Sequence, residues 1–194
     1  MGIFYASDLL SLYSDVSGLL SGSGGILSSG GIRKPVYYAY RFLHQLGDHL
    51  IAESDRAIAT SFSNGDMRIA CWNRKNLGEQ YYMREENSYS PRDLKDLFEN
   101  LEPCTIHFKI SGLEPGKTYF IRQRILNTEK GGVLQKWIRL GGTRASGRDD
   151  FDYLNQTAVP EMIADRVACR DGTLSLSVTL EANEMRMIRI ERDE

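Results

Sequence analysis

The chain has 194 residues, 41% hydrophobic and 26% charged, enough apolar material for one large domain or one domain with an appendage. A formal net charge of -2 gives no electrostatic ground for nucleic acid or an anionic membrane as partner. No apolar run approaches the roughly 20 residues of a membrane-spanning helix, and three widely spaced cysteines argue against a disulfide framework and for a reducing, cytoplasmic location.

The N-terminal MGIFYASDLL has no basic region ahead of its apolar residues and no small-residue cleavage site, so it does not read as a signal peptide. Ile3, Phe4 and Tyr5 suit a short buried strand, with a turn or helix start at Ser7-Asp8. Six of the 18 glycines then fall between Gly18 and Gly31. From Pro35 the pattern turns helical. Val36, Tyr40 and Leu43, with Ala39, Phe42 and Leu46 on the adjoining strip, form a broad apolar face. Pro35 suits the first helical position and Gly47 the stop, whereas Lys34 is a poor cap. Residues 35–46 are therefore expected to be the longest helix, packed through Tyr40, Leu43 and Leu46.

After Gly47 the period becomes two. Residues 57–63, 67–73, 105–111, 118–126, 133–140, 173–180 and 185–190 read as strands, separated by turn signals such as Asn64-Gly65-Asp66 and Glu114-Pro115-Gly116. The clearest is Leu174, Leu176, Val178 and Leu180 against Ser175, Ser177 and Thr179. Short helices are expected from Ser90-Pro91 toward Phe98, and from Ser146 through Phe151 and Leu154. This punctuation predicts a mainly β fold with a C-terminal β-sandwich.

The glycine run lacks the lysine and hydroxyl that a P-loop places after its last glycine, and Leu27 stands where a dinucleotide fingerprint needs its third glycine. A turned or mobile connection is the favoured reading. His44 and His49 are five apart, off one another's helical face, and no cysteine pair joins them in a zinc site. No nucleophile elbow or local Cys-His pair is present. His107 and Lys109, like Arg122 and Arg124, share a strand face that reads as solvated. Tyr119, after Leu113-Glu-Pro-Gly-Lys-Thr, fits a sandwich tyrosine corner. Tyr81, Tyr82 and Tyr89 lie in a polar stretch where exposed rings could stack on sugar, although local packing is commoner. No catalytic residue, metal ligand or cofactor is assigned.

The run Gly31-Ile-Arg-Lys-Pro-Val-Tyr-Tyr-Ala-Tyr-Arg-Phe-Leu-His-Gln-Leu-Gly47 resembles the last helix of the barrel in glycoside hydrolase family 39, the β-xylosidase and α-iduronidase group. Phe4 to Leu12 looks like that family's eighth barrel strand, and its C-terminal β-sandwich matches the strands after residue 48. The resemblance implies two parts: residues 1–47 as eighth strand, Gly/Ser-rich loop and eighth helix of a (β/α)8 barrel, and residues 48–194 as an accessory sandwich. It also implies that the acid/base and nucleophile glutamates belong upstream of Met1. Ser11 and Leu12 stand where xylosidases carry two glutamates, which looks closer to family-39-like domains of AraC-type transcriptional regulators.

Three readings follow. The first is a non-catalytic accessory region of a family-39-like parent, with structural or sugar-sensing duty and the rest of a barrel as partner. The others are a free-standing carbohydrate-binding module and a fibronectin-like interaction module. A carbohydrate ligand would meet Tyr5, Asp8, Tyr81 and Tyr82. The unpaired edge of an isolated eighth strand is expected to recruit the sandwich or a second copy, giving a homo-oligomer through residues 1–13.

Overall fold

The computed structural model describes residues 5–8, 20, 24–83, 96–142 and 147–193. In chain order the elements are β1 Tyr5–Ser7, β2 Gly25–Leu27, α1 Pro35–His44, β3 His49–Ser54, β4 Ala57–Ser61, β5 Met67–Trp72 and α2 Glu79–Met83. There follow β6 Cys104–Ser111, β7 Thr118–Leu126, α3 Leu134–Arg139, α4 Arg148–Thr157, β8 Glu161–Ala168, β9 Thr173–Leu180 and β10 Met185–Arg192. The fold is mainly β. Two compact units alternate along the chain. One takes residues 1–41, 77–98 and 126–160; the other takes 42–76, 99–125 and 161–194.

The second unit is a sandwich. A six-stranded antiparallel sheet runs in the order β3-β4-β5-β10-β7-β8, and a two-stranded sheet pairs β6 with β9. Period-two patterning fixes which side chains fill it. Leu174, Val178 and Leu180 of β9 are buried while Ser175, Ser177 and Thr179 are exposed. Opposite them, Ile106, Phe108 and Ile110 of β6 pair with Val178, Leu176 and Leu174. These pack with Ile69, Cys71, Tyr119, Ile121, Ile188 and Ile190 of the larger sheet. Each fully buried aliphatic side chain contributes roughly 1.5–3 kcal/mol. At one end Asn73, 2% exposed, donates from Nδ2 to the carbonyls of Glu102, Leu180 and Glu181 at 3.1, 3.2 and 3.1 Å. At a corner of the sandwich the Glu114 N–H donates to the Tyr119 hydroxyl at 3.0 Å, the bond expected of a tyrosine corner.

In the first unit β1 lies parallel to β2, with Tyr5 opposite Gly25 and Ser7 opposite Leu27. Tyr5–Ser7 thus pairs with a strand from within the glycine-rich stretch and not with the sandwich. A buried cluster of Ile32, Val133, Leu154 and Ala158, flanked by Leu20, Trp137 and Phe151, joins that stretch to α3 and α4. Asp149 and Asp150 stand in the first turn of α4, where the helix dipole favours negative charge.

Several expectations are corrected. Residues 133–140 form a helix rather than a strand: Val133 and Trp137, one helical turn apart, share a cluster with Leu154. The helix expected at 35–46 ends at His44 and is matched in length by α4, each having 10 residues. Its buried stripe is Tyr38 and Phe42, at 3% and 0% exposed, while Val36 and Leu43 remain at 40% and 44%. The two large rings one turn apart take the interior in place of the smaller aliphatic pair. Gly47 serves a close approach more than a helix stop. Its N–H donates to Thr60 Oγ1 at 2.7 Å, and a Cβ there would run into the Ser61 carbonyl. Edge strands β3 and β8 were not foreseen. The helix expected to open at Ser90-Pro91 lies largely outside the described residues, as do Ile3, Phe4, Ser11 and Leu12.

Candidate functional site

The most tightly built polar site joins the two segments that the sequence pattern singled out separately. Asp8, immediately after β1, has a side chain 0% exposed, and Lys34, immediately before α1, is 14% exposed. The ammonium of Lys34 lies 2.7 Å from both Asp8 carboxylate oxygens. Asp8 Oδ1 also accepts the Gly25 N–H at 3.0 Å. A Cβ at Gly25 would meet the Asp8 backbone and carboxylate, so the start of β2 requires glycine. The connecting turn is held twice at Ser28, which is itself buried. The Ile32 N–H donates to Ser28 Oγ at 3.1 Å, and the Ser28 N–H donates to the Ile32 carbonyl at 2.9 Å. The glycine stretch is therefore a hydrogen-bonded turn over residues 24–34. Lys34, a poor helix cap, is instead the counter-ion of Asp8.

The four residues put forward for carbohydrate fall in two places, Tyr5 and Asp8 in and just after β1, and Tyr81 and Tyr82 in α2. Tyr5 contributes backbone to β1, and the Asp8 carboxylate is engaged by Gly25 and Lys34. Tyr81 and Tyr82 lie on the short α2, their rings edge-to-face at 5.4 Å between centroids, with Tyr82 74% exposed. Tyr89 is outside the described residues. His107 is on the wet face of β6, its Nδ1 2.8 Å from Ser177 Oγ. Among the described residues no group of three His, Cys, Asp or Glu is placed to hold a metal. A groove of about 370 Å³ with a mixed lining opens beside the tyrosine corner, bordered in part by Asn64, Asp66, Met67, Leu113, Glu114 and Arg192. The last two form an ion pair at 2.6 Å.

Titration behaviour follows burial. The Cys71 thiol is pushed up to about 12, chiefly by burial. Burial lowers Lys136, whose ammonium donates to the Thr157 carbonyl. Burial, then the neighbouring Arg189, lowers Arg68. This crowding is invisible in one dimension because Arg68 and Arg189 are brought together only by strand pairing.

No family model matches the chain. Its sequence is 25% identical over 178 residues to a β-xylosidase of Geobacillus stearothermophilus, covering 91% of this chain and 31% of that protein. The chain resembles one third of a family 39 glycosidase. A monomeric β-xylosidase from Caulobacter crescentus CB15 superimposes with a TM-score of 0.74 at 19% identity, over 98% of this chain and 37% of that one. A family 39 enzyme from Xanthomonas axonopodis pv. citri gives 0.67 at 17% identity, over 90% and 33%. The family 39 likeness thus spans almost all of this chain and about a third of its relatives' length.

Proposed function

We propose that the chain is the non-catalytic C-terminal region of a family-39-like, β-xylosidase-like protein. In this reading residues 1–47 supply the last strand, loop and helix of a (β/α)8 barrel, and residues 48–194 the accessory sandwich. The supporting observation is a likeness over 91% of this chain to only 31% of a β-xylosidase. Retaining glycoside hydrolysis needs two carboxyl groups about 5–5.5 Å apart across the scissile bond. Asp8, the acid in the resembling barrel strand, is buried and ion-paired to Lys34. Its role here is to fasten β1, the turn and α1 into one strand–helix unit. The remaining seven strand–helix units of a (β/α)8 barrel would be its partner. Ser11 and Leu12 in place of two glutamates favour a parent that holds sugar without cleaving it, the regulator-like variant of the proposal.

The experiment pairs two assays on a chromogenic aryl xyloside. The chain alone should show no saturable turnover, and saturable turnover would refute the non-catalytic reading. Substituted for the corresponding third of a family 39 β-xylosidase, it should restore folding of the barrel and some activity. A soluble but unfolded chimera would count against the barrel-completing role. Sugar contact rests on Tyr82, the more exposed of the two α2 rings. Tyr82→Ala should abolish any xylo-oligosaccharide binding seen in titration calorimetry.

A further inference from the structure

On the face of the six-stranded sheet opposite the sandwich core, three arginines from three strands meet at one carboxylate. Arg68 of β5 is directly opposite Arg189 of β10, a like-charge pairing that destabilises a sheet unless something offsets it. Arg122 comes from β7, the next strand over. All three reach Glu191: Arg68 at 3.0 Å, Arg122 at 2.9 Å and Arg189 at 3.1 Å. Asp66 stands 3.7 Å from Arg68. Among the described residues, three cations against two carboxylates leave an excess of one positive charge in a chain whose formal net charge is -2. The guanidinium of Arg122 is stacked 5.0 Å from the Phe120 ring centroid, which holds it in place. Arg166, on the other contact to that ring, is neutralised by Asp193 at 2.8 Å.

Hydrogen bonding is incomplete in the same place. The Nε–H groups of Arg122 and Arg189 are shielded from water and have no acceptor among the described residues. An unmatched donor out of water costs roughly 1–3 kcal/mol, and two occur side by side with an unbalanced charge. Arg68 is closed off at 6% exposure, but Arg122 and Arg189 remain open at 38% and 31%. A planar guanidinium fork matches oxyanions in two-point geometry.

We propose that this face is an oxyanion site, in which Arg122 and Arg189 take a carboxylate, sulfate or phosphate group beside Glu191. The bound group supplies the missing negative charge at the exposed edges of the Arg122 and Arg189 guanidinium groups. The inference is independent of the family 39 reading, because it uses only residues of the sandwich.

The test follows the arginine Nε–H resonances by NMR in the intact chain, with signals assigned through Arg122→Lys and Arg189→Lys. Sodium acetate, sulfate and phosphate are titrated separately against sodium chloride at matched ionic strength. Saturable shifts of the Arg122 and Arg189 signals, with an apparent Kd about tenfold below that for chloride, support the site. The anion giving the lowest Kd separates a carboxylate ligand from a tetrahedral one. Arg122→Gln should weaken that binding about tenfold or more with an unchanged far-UV spectrum. Arg189→Lys, which keeps the charge and loses the fork, serves as second variant should the first not fold. Shifts that never saturate, or that chloride reproduces, overturn the proposal.

Discussion

Asp8 and Lys34 show how a local rule and a tertiary one divide a residue's duties. By helix propensity Lys34 is a poor residue ahead of Pro35, yet its ammonium neutralises a carboxylate that is 0% exposed. Removing one partner of such a pair strands a buried charge, so Lys34→Met should destabilise the chain by about 3–5 kcal/mol, measured by urea unfolding. The double variant Asp8→Asn, Lys34→Met should recover much of that loss. Cys71 makes a pH-dependent case. Its thiol is held neutral up to about 12 in the folded chain, against 9.0 for a free cysteine thiol. The unfolded chain thus releases this proton first. The resulting stability is complete below about pH 9 and falls as pH rises from 9 to 12, by up to about 1.4 kcal/mol per unit. Cys71→Val should lack that component, visible as a stability difference from the parent that shifts only above pH 9. Below pH 9 the native thiol should resist alkylating reagents.

Among the elements, strands with at least one buried face were legible and the exposed ones were not. β7 at 118–126 and β9 at 173–180 appear with the bounds that their alternation implies. β3 is exposed at every position and β8 at all but Val167, so neither carries the period that betrays a half-buried strand. Residues 133–140 mislead for another reason: over eight residues an apolar spacing of four is compatible with either period until a partner such as Leu154 is known. The Asp8–Lys34 pair was half visible, since both residues were singled out but nothing in one dimension connects them. The arginine cluster was invisible apart from Arg122, because register alone assembles it. The two edges of the larger sheet carry protection. β3 has an irregularity between Leu50 and Ala52, and β8 sets Asp165 and Arg166 beside the exposed Met162 and Ile163. Replacing Asp165 and Arg166 together by valine should increase self-association of the chain, read by light scattering at increasing concentration. At the corner, Tyr119→Phe removes the acceptor of the Glu114 N–H and should cost about 1–2 kcal/mol in chemical unfolding.

At the scale of the whole molecule the chain passes between its two compact units at residues 41/42, 76/77, 98/99, 125/126 and 160/161. A cut at 47/48 therefore leaves residues 126–160 without Ile32, the buried residue their own cluster needs. Residues 48–194 expressed alone should show a broadened, less cooperative thermal transition than the full chain. A sharp transition of unchanged midpoint would contradict this. The interleaving also sets a clock on the ribosome. Ile32 emerges about a hundred residues ahead of Val133 and Leu154, an interval of roughly 5–20 s at ordinary elongation rates. Throughout that interval the glycine-rich segment has no finished core to join, while β3, β4 and β5 can already pair behind it. A nascent chain stalled before residue 126 should thus offer its first forty residues to chaperones and proteases, and release past residue 160 should close that window.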